Sequence, residues 1–236
     1  MPITNRVAVV IGATGQLGPA VAKAFAHAGA RLVLVSTEQE ALNALTHDLG
    51  FRESRVLPVV ADALNAEAMQ TLAQTVKARF GRADILLHLT GAYRNGGMLD
   101  TTDELWEHML DANLRTAIHS LRAFLPLLVE NNWGRILTIS SAATQNPPAH
   151  SVAYVTTKAA LETLTLAAAQ ETKDKNITAN VVLIRALDTP AERAKQPNKT
   201  TGWVKPEDVA ATLLFLCSEE GGAINSARVP VFGSAG

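Results

Sequence analysis

A chain of 236 residues with 47% hydrophobic and 18% charged content can bury one sizeable core, and its formal charge of -1 arises without any basic run or stripe. That balance excludes the electrostatic footprint of a nucleic-acid or anionic-membrane binder. Cys217 is the one cysteine and the six histidines are scattered, which excludes an internal disulfide framework and leaves no metal site to expect.

The N-terminal segment MPITNRVAVVIG runs straight into an apolar stretch of strand length, without the charged n-region, long h-region and cleavage site of a signal peptide. No apolar run reaches the ~18 residues a membrane span needs, so the expected address is the cytoplasm. Short β-branched runs then alternate with longer Ala- and Leu-rich segments of helical period. Strands are predicted near 7–11, 31–35, 55–60, 84–88, 135–139, 178–183 and 228–232, and helices near 16–28, 38–49, 66–80, 103–130, 151–172 and 207–218. The rhythm predicts an α/β fold, a doubly wound sheet of about seven parallel strands with helices on both faces. Thr101 with Glu104 predicts a capping box, Pro206 with Glu207 and Asp208 predicts a first helical turn, and Pro126 predicts a bend in the long helix. There is no repeat, low-complexity tract or Gly/Ser linker, so residues 1–236 read as one domain. The least regular stretch, TPAERAKQPNKTTGWVKP at 189–206, belongs at the carboxyl edge of the sheet, where open α/β sheets bind ligands.

VVIGATGQLG sets Gly12, Gly15 and Gly18 directly after the first strand and at the start of the first helix. The backbone must turn tightly there and approach a ligand, and free N–H groups at a helix start bind a pyrophosphate. The spacing G-x-x-G-x-x-G differs from the dinucleotide fingerprint G-x-G-x-x-G, so a ligand-free glycine turn is the simpler alternative. A strand before and a helix after favour nucleotide binding. The second strand ends in Ser36 and Thr37, where a carboxylate would accept hydrogen bonds from an adenosine ribose. Loss of that carboxylate removes a repulsion against a 2'-phosphate, yet no Arg or Lys stands beside it. NADP and NAD both remain open, with the balance leaning to NADP and Glu38 opposing the lean.

Three further segments follow in order: DANL with Asn113, ISS with Ser140 and Ser141, and YVTTK with Tyr154 and Lys158, Tyr154 lying thirteen residues after Ser141. With the glycine loop they resemble the short-chain dehydrogenase/reductase family over essentially the whole chain. The resemblance implies a Rossmann-type dinucleotide-binding oxidoreductase domain that moves a hydride between a nicotinamide and a small carbonyl or alcohol. Its catalytic set falls on Asn113, Ser141, Tyr154 and Lys158: Tyr154 as general acid or base, Ser141 on the substrate oxygen, Lys158 on the nicotinamide ribose and Asn113 on a relay water. Its cofactor positions fall on Gly12, Thr14, Gly15, Gln16, Leu17, Gly18, Ser36, Thr37, Asp62, Ala63, Thr90, Gly91, Leu187 and Thr189, besides Tyr154 and Lys158. It also implies a homo-oligomer, dimer or tetramer, packed through the helices near 103–130 and 151–172.

Residues four apart share a helix face, so Tyr154 and Lys158 can reach one cavity. A phenol titrates near ~10, and an ammonium together with an oxidised nicotinamide would lower that value. Three positions depart from the family pattern. Gln16 stands where T-G-x-x-x-G-x-G has glycine, HLTG puts His88 and Thr90 into the N-N-A-G segment, and Ile184-Arg185 replaces a Pro-Gly. The glycine spacing, GAYRNGG, LDTPAER and Trp203 are similar to quinoid dihydropteridine reductases, although that branch lacks a counterpart to Ser141 and ends its second strand with Asp. A reductase of a pteridine-like conjugated imine and a non-catalytic NAD(P)-binding sensor are therefore the alternatives. Tyr93, His150 and Arg185 stand near the substrate mouth by position, Arg185 either as an anion anchor or paired with Asp188 or Glu192.

Overall fold

The computed structural model describes residues 3–50 and 54–233. Its seven strands are β1 (Val7–Ile11), β2 (Arg31–Ser36), β3 (Val56–Val60), β4 (Ile85–His88), β5 (Trp133–Ser141), β6 (Asn176–Ile184) and β7 (Arg228–Val231). They form one parallel sheet in the order β3-β2-β1-β4-β5-β6-β7. This is the Rossmann-type fold, and the order reverses between β1 and β4, which opens a crevice at the carboxyl ends of those two strands.

Both faces of the sheet are covered because successive side chains point to opposite sides and both sets are apolar. Ala8, Val10, Leu32, Leu34 and Leu87 pack with Val21 and Phe25 of α1 (Gly18–His27) and with Val209 and Leu213 of α8 (Pro206–Cys217), while Leu42 of α2 (Gln39–Leu49) closes the same face. On the other face Val7, Val9, Val33 and Val35 meet Met69 and Val76 of α3 (Ala66–Phe80) and Phe124 and Leu128 of α5 (Thr116–Glu130). The remaining helices are α4 (Asp103–Leu110), α6 (Val152–Glu171) and α7 (Pro190–Lys195).

The predicted elements need five corrections. The long helix is not continuous: α4 and α5 are joined by a π turn, Asp111–Arg115, whose wider coil rotates Asn113 into a fully buried position. The cap of α4 is Thr102, which accepts from the Leu105 amide at 3.3 Å, since the Thr101 hydroxyl donates to the Gly97 carbonyl at 2.6 Å. The first helix begins at Gly18 rather than at Gln16, because Gly12 holds φ at +84° and two tight turns, Gly15 N to Gly12 O and Gly18 N to Gly15 O, both at 3.1 Å, intervene. The stretch 189–206 contains α7, capped by the Thr189 hydroxyl on the Glu192 amide at 3.3 Å. Strands β5 and β6 run longer than predicted, nine residues each, paired from Trp133 with Asn176 to Ser141 with Ile184. That extension carries Ser141 to the carboxyl edge.

A methyl group on Gly18 would lie 2.1 Å from the Ala13 carbonyl oxygen, so the first helix can approach its strand only through hydrogen at that position. Gly18→Ala is expected to lower stability by about 3 kcal/mol, the upper range for overpacking, as read from urea unfolding midpoints. Gly15→Ala, whose methyl would meet only the Gly12 carbonyl at 3.3 Å, should cost much less.

Candidate active site

The carboxyl ends of β4 and β5 and the first turns of α6 bring Asn113, Ser141, Tyr154 and Lys158 together. Lys158 is buried, and its Nζ donates to the Ile139 carbonyl at 2.9 Å. A methyl on Gly91 would lie 2.7 Å from that Nζ and 2.9 Å from Asn113 Oδ1, so the turn after β4 threads between the two side chains. Asn113 clips the same turn with both ends of its amide: Oδ1 accepts from the Ala92 amide at 2.9 Å and Nδ2 donates to the Ala92 carbonyl at 3.1 Å. Nδ2 also reaches Thr157 Oγ1 at 3.2 Å. Burial pushes the Lys158 ammonium down to about 8, opposed by the Glu162 carboxylate one turn further along α6.

Glu162 is itself buried, accepting from Ser140 Oγ at 2.7 Å and from Arg228 Nε at 2.6 Å. Ser140 is therefore committed to the helix clamp. The Ser141 hydroxyl accepts from the Ala143 amide at 3.2 Å and lies close enough to Tyr154 to favour its phenolate. Tyr154 departs from expectation. Its pKa is raised, by burial first, against the Ser141 hydrogen bond, with Tyr93 and Glu192 adding to the rise. Lys158 does not offset this in the protein alone, because its ammonium is turned to the Ile139 carbonyl.

Around the glycine loop the amides of Thr14, Gln16 and Leu17 have no acceptor among the described residues, the arrangement that receives a pyrophosphate. Ser36 shares a 2.6 Å hydrogen bond with Thr14 Oγ1 and accepts from the Glu38 amide at 3.1 Å; Thr37 is exposed beside it. Asp62, also exposed, accepts from the Leu64 amide at 2.8 Å, and the Ala63 carbonyl meets His119 Nδ1 at 3.2 Å. Gln16 joins the loop to α7: its Nε2 donates to Glu192 Oε1 at 2.7 Å and its Oε1 accepts from the Thr189 hydroxyl. Leu187 is tied by a bridge to Val204.

Tyr93 stands edge-on to Tyr154 with ring centroids 4.8 Å apart, its hydroxyl donating to Asn95 and lying 3.4 Å from Ser151 Oγ. His150 is exposed at φ +58°, and its ring packs against Gly97. The expected pairing of Arg185 with Asp188 or Glu192 is not made. Asp188 is bonded to Arg193 and Glu192 to Lys195, while the Arg185 guanidinium lies over Phe232 at 4.9 Å. Glu162 and Thr157 were not singled out from the sequence, and Glu192 only as a partner for Arg185. Glu162 alone had a signal, a carboxylate four residues after Lys158 on an Ala- and Leu-rich helix.

The family model for short chain dehydrogenases matches residues 6–200. The chain belongs to that family. The (2S)-[(R)-hydroxy(phenyl)methyl]succinyl-CoA dehydrogenase subunit BbsD of Thauera aromatica is 31% identical to this short-chain dehydrogenase over 99% of the chain and 97% of BbsD. Among solved structures, gox2181 superimposes with a TM-score of 0.91 at 28% identity, over 98% of this chain and 95% of that one. The NADPH-bound short chain oxidoreductase of Pseudomonas aeruginosa PAO1, described as containing an atypical catalytic center, gives 0.88 at 26% identity over 97% and 96%. Among the described residues of this short-chain dehydrogenase, no helix is long and apolar enough to cross a membrane, and no three His, Cys, Asp or Glu side chains group as metal ligands.

His88, in the departing HLTG segment, is buried at the end of β4. Its Nε2 lies 3.3 Å from both Thr90 Oγ1 and Thr116 Oγ1, and its Nδ1 has no partner among the described residues. Burial, reinforced by Lys158, drives its pKa from 6.5 to about 3. Between those values the unfolded chain binds a proton that the folded one refuses, so stability falls as pH falls through this window. Urea midpoints from pH ~6 to ~4 should show the parent losing up to about 1.4 kcal/mol per pH unit relative to His88→Asn. Parallel profiles would place His88 outside that linkage.

Proposed function

We propose that this short-chain dehydrogenase is an NAD(P)-dependent oxidoreductase that interconverts a small carbonyl compound and its alcohol, with Tyr154 as the proton donor to, or acceptor from, the substrate oxygen. The observation that carries the proposal is the convergence of Ser141, Tyr154 and Asn113 on a buried Lys158, whose ammonium is held on the Ile139 carbonyl beside the turn that Asn113 fastens. The residues fit a bound nicotinamide nucleotide: three unsatisfied amides open α1, Gly12 turns at positive φ, and Gly91 leaves the Lys158 amine uncovered by any side chain of its own. The nucleotide supplies or accepts the hydride when bound.

The protein's share is position and charge. Tyr154 is protonated at neutral pH, which suits donation to a developing alkoxide in the reductive direction. Ser141 holds that oxygen by a second hydrogen bond, and water is restricted by the edge-on ring of Tyr93. Lys158 contributes a positive charge that favours the phenolate as the proton leaves, and Asn113 keeps the turn after β4 in register with it. His150, packed on Gly97, borders the mouth with Tyr93. Glu162 and Ser140 hold the first turns of α6 at a fixed height against β5.

At the adenosine end Ser36 offers a hydroxyl and no charge, Asp62 faces solvent nearby, and the NADPH-bound relative favours the phosphorylated cofactor. A pteridine-like imine substrate draws its support from GAYRNGG and LDTPAER, against Ser141; a sensor without turnover draws none from a site in which all four side chains converge. The α4–α5 and α6 faces are the surfaces on which a second copy would pack.

Two measurements test the proposal. Titration of nicotinamide fluorescence should give saturable binding of NADPH, and weaker binding of NADH. Tyr154→Phe should reduce carbonyl reduction by about 10²–10⁴-fold, the range for loss of a general acid, with little loss of nucleotide affinity. Turnover equal to the parent's would remove Tyr154 from the proton path.

A further inference from the structure

Strand β6 ends at Ile184, whose Cα partner across the sheet is Ser141, so Arg185 leaves the sheet beside the turn that carries the Ser141 hydroxyl. The chain returns past the same place at Gly202. A methyl built there would lie 3.9 Å from Arg185 Nη1 and 4.0 Å from Lys199 Cε, so the two cationic side chains flank one backbone position. Each rests on a ring: the Arg185 guanidinium on Phe232 at 4.9 Å, and the Lys199 ammonium on Trp203 at 4.7 Å. Trp203 is fixed in turn, its Nε1 donating to the Lys199 carbonyl at 3.1 Å. The cations are thus held before any ligand arrives.

The carboxylates of the same segment are engaged elsewhere. Asp188 takes the fork of Arg193, and Glu192 takes Lys195 and Gln16. Arg185 and Lys199 have no carboxylate in ion-pair reach among the described residues. Arg185 is exposed and Lys199 half-buried, and two like charges beside each other are unfavourable unless an anion joins them; the ammonium of Lys199 is destabilised by burial and by Arg185.

We infer that Arg185 and Lys199 form a carboxylate-binding subsite, and that the carbonyl substrate carries an anionic group held there while its oxygen faces Tyr154. The inference rests on the hydride-transfer function proposed above. A guanidinium meets a carboxylate through two parallel hydrogen bonds, and an adjacent ammonium adds charge from one side. The register of β5 and β6, Ser141 opposite Ile184, sets Arg185 next to the strand end that carries Ser141, and Glu192 acts electrostatically on both Tyr154 and Lys199. A neutral imine would gain nothing from this pair.

The test uses the full-length protein with pyruvate, acetoacetate and levulinate, each against its methyl ester, so that charge changes while the carbonyl and its reach are sampled. Binding is measured by calorimetry to the protein alone and to its complex with the oxidised nicotinamide nucleotide, so turnover is not required. At least one acid should bind about tenfold or more tightly than its ester, the worth of a charge-assisted pair. Arg185→Ala and, separately, Lys199→Ala should bring that ratio toward one while circular dichroism shows an intact fold, and Arg185→Lys should retain part of it. Equal affinities for acid and ester in all three pairs, or a ratio untouched in both alanine variants, would overturn the inference. So would a loss of nucleotide affinity in Arg185→Ala with the acid preference intact, because the anion would then be a cofactor phosphate. Turnover is read separately from nicotinamide absorbance. Esters reduced as well as acids would sink the subsite and spare the reductase; acids bound selectively but never reduced would do the reverse.

Discussion

Keeping a lysine ammonium out of water is the constraint around which the carboxyl edge of this sheet is arranged. Lys158 has one direct acceptor, the Ile139 carbonyl, and lies on a helix whose only other buried charged residue, among the described residues, is Glu162. A buried cation so sparsely bonded needs charge nearby, and Glu162 supplies it from the next turn. Glu162 must then be satisfied in its turn. Ser140 from β5 and Arg228 from β7 do so, which locks α6 across three strands. Asn113 completes the enclosure by fastening the turn after β4, and the π turn between α4 and α5 exists at the place that lets it do so. His88 shows the other side of the same constraint: a second buried base beside the ammonium is held neutral.

The glycine loop and α7 form a second unit. Gln16, placed where the family pattern has glycine, is the residue that ties the loop to Thr189 and Glu192. That contact brings a carboxylate to the mouth of a site whose amides are disposed to receive phosphates, and Lys195 offsets its charge. The same segment carries Lys199 and Trp203 round to Arg185. The departures from the family pattern at Gln16 and Arg185 thus both adjoin the segment from Thr189 to Gly202.

Much of this was legible in the sequence. Seven apolar runs of strand length declared a parallel sheet, and Gly12, Gly15 and Gly18 marked the turn at its first crossover because a backbone at positive φ or against a carbonyl tolerates little else. The helix N-terminus at Thr102 was misplaced by one residue, since Thr101 with Glu104 fits the capping box that Thr102 with Leu105 does not, yet the Thr101 hydroxyl is drawn off to the Gly97 carbonyl. The π turn has no propensity signature of its own. The helix α7 was not foreseen in the stretch 189–206, because six residues are too few for a periodic face. Contacts such as Gln16 to Glu192 and Glu162 to Arg228 join residues far apart in the chain, and periodicity carries no information about them. Arg185 was read against the nearest carboxylates in sequence; the fold gives Asp188 to Arg193 instead, because both lie on the approach to and within one short helix.

The central claim is that Lys158 is a destabilised cation held in place by Glu162, and it can be measured without substrate or cofactor. Nuclear magnetic resonance of the labelled lysine side-chain amine, followed through a pH titration in the parent and in Glu162→Gln, reads it directly. The account predicts a midpoint of about 8 in the parent, shifted further down in the variant. A Lys158 amine that titrates at the ordinary 10.5, unchanged by Glu162→Gln, would contradict it.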